Sequence, residues 1–274
     1  ILTAARLKAA RLKFRFPSVG ATENLMMCAS LVKGTTVLQN CAREPEISDL
    51  ARALRKMGVA VEGEGSAVIK LTGVKELKGL KYEVMPDRIE TGTFMLVAAA
   101  AGGALKLMNT DIALVEPLAR ALTRAGVRVF GEKNAITVIS SGGRPKPVDI
   151  ITEPHPGFAT DLQAPWMAFM ARAEGVCEIT EAIFENRFMH ASELMRMGAD
   201  ITVMDRKAVV RGVQRLLGAP VMASDIRAGA ALIVAAAAAK GRTVIRRVYH
   251  IDRGYEKIED KLRLAGVKIE RVKV

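Results

Sequence analysis

Cysteine is scarce in this sequence: Cys28, Cys41 and Cys177 are widely spaced and form no CxxC pair. This argues against a disulfide framework or a zinc ribbon and fits a reducing, cytoplasmic setting. Aromatics are also few, with one Trp, three Tyr and eight Phe in 274 residues. The stacking platforms of single-strand nucleic-acid binders are therefore missing. The most apolar stretch, Ala228 to Ala239, has 12 residues. As a helix it would span roughly 18 Å, against about 30 Å for a bilayer core, so it reads as a buried helix and no membrane partner is expected. No segment joins a charged start, an apolar middle and a cleavage site in the manner of a signal peptide. His155, His190 and His250 do not stand at metal-ligand spacing, and neither a metal nor another cofactor is expected.

What is present is a chain rich in Ala, Val, Leu, Met and Gly, with half its residues apolar and a net charge of +12. Such a chain can bury a sizeable core. The basic surplus favours anionic partners, but the charges are dispersed, and Lys/Arg runs of the kind that bind nucleic acid are absent.

The most informative feature is a repeat. Gly34, Gly103, Gly175 and Gly241 each precede a short apolar strand, at intervals of 69, 72 and 66 residues. Gly58, Gly126, Gly198 and Gly266 follow them by 24, 23, 23 and 25 residues, each after an amphipathic pattern with apolar residues at helical spacing. Two sets of landmarks keeping one spacing four times define a repeating unit. Each unit reads as a strand (12–16, 81–85, 148–153, 220–223), then a long apolar helix ending at the first Gly. A strand, an amphipathic helix (47–57, 115–125, 189–197, 255–265) and one or two further strands follow. The result is a βαβαββ unit whose helical face must be covered by its neighbours. The long helices start at Ala-Thr-Glu (21–23), Glu-Thr-Gly (90–92), Ala-Thr-Asp (159–161) and Ala-Ser-Asp (223–225). The Ser or Thr in each is the expected N-cap, and the acidic residue complements the helix dipole.

Six segments carry a further signal: Pro-Ser-Val-Gly-Ala-Thr-Glu-Asn (17–24), Ala-Arg-Glu-Pro-Glu-Ile (42–47), Pro-Asp-Arg-Ile-Glu-Thr-Gly-Thr-Phe (86–94), Thr-Asp-Leu-Gln-Ala (160–164), Phe-Glu-Asn-Arg-Phe-Met-His (184–190) and the run 249–262. With the repeat, they resemble the enolpyruvyl transferase family, on its UDP-N-acetylglucosamine rather than its shikimate branch. The resemblance implies an α/β fold of the inside-out barrel type, built of βαβαββ repeats, with four of six repeats present. Residues 1–84 would be the last repeat of an incomplete domain and 85–274 a three-repeat domain. It also implies two further units before Ile1, bearing a proton-donating Cys on a mobile loop. The 274-residue chain by itself is accordingly expected to lack turnover.

The implied reaction moves the enolpyruvyl group of phosphoenolpyruvate onto the 3′-hydroxyl of UDP-N-acetylglucosamine with release of phosphate. It needs a base for the hydroxyl, an acid for C3, and cations around a phosphate and a carboxylate. By the resemblance Asp161 takes the hydroxyl proton and Thr160 lies beside the substrate. Arg187, Arg227 and Arg263 surround the anions, for which a planar guanidinium fork is suited. Arg263 has an alternative in pairing with Glu259 one helical turn away. Ser18, Val19 and Gly20 form a strand-to-helix turn for the nucleotide, and Ile183 offers its backbone to the nucleotide sugar. Asp87, Arg88 and Glu90 fall between the domains, as a hinge or as a structural ion pair. Cys28 is expected inside an apolar helix, and Pro165 has no functional account. Two other readings are transfer to shikimate 3-phosphate and a basic, non-enzymatic repeat scaffold that binds nucleic acid.

Overall fold

The computed structural model describes residues 7–272 and divides into two compact units. One runs through Met85 and takes in Pro154–Pro156; the other comprises Pro86–Glu153 and the chain from Gly157 onward.

The first unit contains β1 (Arg11–Lys13), α1 (Val19–Ala29), β2 (Gly34–Gln39), α2 (Pro45–Lys56), β3 (Ala60–Glu62) and β4 (Val68–Gly73). Its sheet has the order β1-β2-β4-β3, parallel between β1 and β2 and antiparallel elsewhere. Met26, Leu38, Ile47, Leu54, Ile69 and Leu71 form its core.

The second unit begins with α3 (Arg88–Ala101), β5 (Gly103–Met108), α4 (Glu116–Arg124), β6 (Arg128–Glu132), β7 (Ala135–Ser140) and β8 (Ile150–Ile151). It continues with α5 (Gln163–Met170), β9 (Val176–Thr180), α6 (Ala191–Arg196), β10 (Asp200–Met204), β11 (Lys207–Arg211), β12 (Pro220–Met222), α7 (Ile226–Ala238), β13 (Val244–Arg246) and α8 (Ile258–Leu264). Three sheets result, ordered β5-β7-β6, β10-β11-β9-β8 and β12-β13. The apolar helices α3, α5 and α7 pack on one another. All eight residues of α5 are buried, and Trp166, fully buried, meets Phe158 and Phe169 edge-on at 5.8 and 5.6 Å between ring centroids. Each large side chain so buried contributes about 1.5–3 kcal/mol relative to exposure. The mutual packing of these three helices carries the core.

The second set of landmark glycines ends its helices in one recurring way. Gly58, Gly126, Gly198 and Gly266 have φ of +101°, +94°, +91° and +88°. Each donates its N–H three residues back, and the residue after it donates five residues back, as in Val59 to Leu54 and Val267 to Leu262. This is the Schellman arrangement, in which a residue without Cβ takes the left-handed position at little cost.

Other elements differ from the sequence reading. The first glycines do not close the long helices: α1, α5 and α7 stop several residues earlier, at Ala29, Met170 and Ala238, while Gly34 and Gly103 open the strands that follow. Residues 81–85 form no strand. The Tyr82 hydroxyl donates to Asp49, Lys56 Nζ lies over the Tyr82 ring, and Met85 N points at Asp49 Oδ2. These side-chain ties occupy the segment instead of sheet pairing. The caps also sit one turn upstream of Thr22 and Thr91. Ser18 accepts from Ala21 N and Asp87 from Ile89 N and Glu90 N, while the two threonine hydroxyls donate back to the carbonyls of Ser18 and Asp87. In α7 the cap is Asp225 rather than Ser224.

Candidate active site

The segment Thr160–Leu162 is a single 3₁₀ turn that runs directly into α5. Pro165 stands in the first turn of α5, where an N–H would lack an intrahelical partner, so proline costs nothing there. The turn holds Asp161 two-thirds out of solvent beside two guanidinium groups. Arg187 Nη2 donates to Asp161 Oδ1 at 2.8 Å and Arg227 Nε to the same oxygen at 2.9 Å. Among the described residues none donates to Oδ2.

Each arginine is set by its own local structure. Arg227 lies in the first turn of α7, its N–H bound to the capping Asp225 carboxylate at 2.8 Å. Tyr255 faces its guanidinium and shares a 2.8 Å hydrogen bond with Thr93 on α3. Arg187 lies over the ring of Phe184, 4.5 Å from its centroid.

Burial alone would raise the Asp161 pKa, but the Arg227 and Arg187 charges and their hydrogen bonds outweigh it and hold the carboxyl below its ordinary range. Burial opposes the charge of Arg227, and Asp161 and Tyr255 more than restore it. His190 is buried nearby, its Nε2 without a hydrogen-bond partner among the described residues, and its pKa is pushed down to about 4 by burial, with Asp225 opposing and Arg187 adding to the effect. It is neutral at pH 7. The site therefore combines one carboxylate, ionised at neutral pH, with two cations.

The structure brings together Thr160, Asp161, Ile183, Arg187 and Arg227. The Thr160 hydroxyl and the Ile183 N–H both reach Glu181. Arg263 is not joined to this group: its guanidinium donates to Asp260 and to the Ile269 carbonyl. The partner on its own helix is thus Asp260, not Glu259. Glu90 pairs with Lys261 at 2.6 Å, Asp87 caps α3, and Arg88 is the first residue of that helix. Ser18, Val19 and Gly20 begin α1 in the first unit. Cys28 lies within the apolar helix α1, as expected, with its side chain exposed, whereas Cys177 is buried and its thiol pushed up to about 12, chiefly by burial. Glu181, Tyr255, Thr93 and His190 were missed as members of the site, because nothing in their local sequence marks their burial.

Among the described residues no helix is long and apolar enough to cross a membrane, and no group of three or more His, Cys, Asp or Glu is arranged to hold a metal ion.

The chain is 55% identical over 267 residues to a UDP-N-acetylglucosamine 1-carboxyvinyltransferase of Dinoroseobacter shibae, covering 97% of this chain and 63% of that one. It is 52% identical to that of Allorhizobium ampelinum, covering 94% and 61%. It thus spans somewhat under two-thirds of the length of these curated relatives. Among solved structures it resembles the enolpyruvyl transferase NikO of Streptomyces tendae, with a TM-score of 0.88, 28% identity and coverage of 98% and 66%. An EPSP synthase from Acinetobacter baumannii, 20% identical with a TM-score of 0.73 and coverage of 97% and 64%, shares the fold. With residues 1–262 matching the sequence model of EPSP synthase (3-phosphoshikimate 1-carboxyvinyltransferase), the chain belongs to that enolpyruvyl transferase family.

Proposed function

We propose that this chain carries the Asp161 half of a site that transfers the enolpyruvyl group of phosphoenolpyruvate to the 3′-hydroxyl of UDP-N-acetylglucosamine, the step that commits the sugar to peptidoglycan. The observation that carries the reading is the Arg187–Asp161–Arg227 cluster, with both cations on Oδ1 and Oδ2 left open. The two relatives at 52% and 55% identity support the sugar nucleotide over shikimate 3-phosphate as acceptor.

In this reading the sugar oxygen attacks C2 of phosphoenolpyruvate while its proton passes to Asp161 Oδ2. C3 takes a proton from an acid, giving a tetrahedral adduct; loss of phosphate and of one C3 proton restores the double bond. Asp161 is a weak base because two cations hold its pKa down, so its main contribution is to orient the hydroxyl. Arg187 and Arg227 present guanidinium groups to the carboxylate and phosphate, and arriving anions compete with Oδ1 for them. Ser18, Val19 and Gly20 offer free helix N-terminal groups to the nucleotide, and the Ile183 backbone meets its sugar. Arg263, whose Nε and Nη1 donate to the Ile269 carbonyl and to Asp260, adds its positive charge. The four-repeat architecture, the hinge at 87–90 and a cytoplasmic location belong to the same reading.

The test is phosphate release from phosphoenolpyruvate by the protein as its gene encodes it, with UDP-N-acetylglucosamine or shikimate 3-phosphate as acceptor. Turnover that depends on the sugar nucleotide, and falls about 10²-fold or more in Asp161→Ala, is the expected result. Turnover with shikimate 3-phosphate alone, or an Asp161→Ala variant of full activity, would overturn the reading.

A further inference from the structure

Glu181 follows directly on β9 and is completely buried, yet it is not among the groups the chemistry above employs. Burying a carboxyl group is unfavourable unless its oxygens are filled by donors. Here four donors converge. Oε1 accepts from Thr152 Oγ1 at 2.8 Å and from the N–H groups of Ile183 and Phe184, each at 3.0 Å. Oε2 accepts from Thr160 Oγ1 at 2.8 Å. Thr152 Oγ1 in turn accepts from Ala182 N at 2.9 Å.

These contacts join the two segments that make the site. Thr160 is the neighbour of Asp161, and Ile183–Phe184 begin the loop that ends in Arg187. A comparison within the chain shows that the Thr160 bond is not what a threonine near a helix start does by default. Thr22, Thr91 and Thr93 all donate to the carbonyl four residues earlier on their own segment. Thr160 instead donates across 21 residues to Glu181. Phe184, whose N–H Glu181 holds, also carries the ring beneath Arg187.

We propose that Glu181 is a positioning residue. It fixes the spacing between Asp161 and Arg187 by clamping Thr160 with one carboxyl oxygen and the Ile183–Phe184 backbone with the other. The role rests on the enolpyruvyl-transfer reading for its effect on rate, but not for its geometry. Glu181→Gln conserves volume; with its carbonyl kept on the Ile183 and Phe184 N–H groups, its NH₂ faces Thr160, whose hydroxyl must turn from donor to acceptor and lose its charge-assisted bond. Thr160→Val removes the same arm from the other side, and Thr160→Ser keeps it.

The experiment measures kcat, KM for both substrates, and the unfolding midpoint from Trp166 fluorescence. It compares wild type, Glu181→Gln, Thr160→Val, Thr160→Ser and the Glu181→Gln/Thr160→Val double variant. Because displacements of about 1 Å cost roughly 10²-fold, Glu181→Gln and Thr160→Val should each lower kcat about 10- to 100-fold with little change in KM, and Thr160→Ser should stay within about threefold of wild type. The double variant should be no slower than the worse single one, since both break one link. A kcat loss that only follows the loss of folded protein, or unchanged kcat in both single variants, would overturn the proposal. Carboxyl ¹³C NMR of Asp161 in the same variants provides an arm independent of turnover. Loosening of Arg187 should raise the Asp161 titration toward the ordinary Asp range, and an unaltered titration counts against the role. Absence of wild-type turnover together with a shifted titration would instead overturn the functional reading and leave the positioning role standing.

Discussion

Replacing His190 tests the electrostatics of the site through stability alone. His190 is buried, its Nε2 has no hydrogen-bond partner among the described residues, and its pKa is pushed down to about 4, with burial the largest cause, Asp225 opposing and Arg187 adding to it. An unfolded histidine titrates near 6.5. Between those two values the unfolded chain binds a proton that the native chain does not, so stability rises with pH from about 4 to 6.5 and is level above. At pH 5 the unfolded imidazole is almost wholly charged and the native one almost wholly neutral, which costs about 2 kcal/mol relative to pH 8. The loss grows to about 3 kcal/mol at pH 4 and levels off below that, once the native imidazole is protonated as well. With a urea dependence of about 2 kcal/mol per molar, the midpoint should fall by roughly 1 M between pH 8 and pH 5 on account of this one residue. Trp166, the sole tryptophan, is fully buried in the second unit and reports that unit's unfolding directly. His190→Asn and His190→Leu should both lose this share of the pH dependence, whatever their stability at pH 8. His155 and His250 remain in all three proteins and cancel in the comparison. Asp161 acts below the window: its depressed pKa contributes stability above about pH 4 that is lost on further acidification. If wild type and both variants lose the same stability between pH 8 and pH 5, His190 is not a buried neutral imidazole and the account of its surroundings is wrong.

Two further substitutions probe how the site is supported. A Cβ at Gly92 would lie 2.8 Å from both δ-methyls of Leu162 and 3.0 Å from Leu118 Cδ2, all in the buried core. Overpacking of about 1–3 kcal/mol should exceed the helix-propensity gain of about 1 kcal/mol, so Gly92→Ala should lower the thermal midpoint and, by moving Leu162, slow any Asp161-dependent turnover; a higher midpoint would show that the leucines yield freely. Asp87→Ala removes a cap that accepts two N–H groups of α3 and should cost about 1 kcal/mol by urea unfolding, with Asp87→Asn largely restoring it; equal losses in both would mean that charge, not capping, is at work.

Glycine spacing made the helix ends legible in the sequence. A left-handed residue after an amphipathic helix is a property of a few adjacent backbone units, so Gly58, Gly126, Gly198 and Gly266 announce it without reference to the rest of the chain. Asp161, Arg187 and Arg227 were singled out differently, through the resemblance of the segments 160–164, 184–190 and 223–227 to the enolpyruvyl transferase family and not from local backbone preference. What the sequence did not contain is which groups face one another. Arg187 and Arg227 reach Asp161 Oδ1 across 26 and 66 residues, and Glu181 gathers Thr152 and Thr160 across 29 and 21. Thr22 and Thr91 had the look of caps, but the chain entered each helix a turn earlier, where Ser18 and Asp87 accept the free N–H groups. Residues 81–85 read as a strand, yet Asp49 accepts from the Tyr82 hydroxyl and faces Met85 N, and Lys56 lies over the Tyr82 ring. Local backbone preference selects the ends of helices. Which carboxyl group is buried, which cation meets it and which hydroxyl it holds are decided only when α3, α5 and α7 pack and bring distant segments into a common, poorly solvated space.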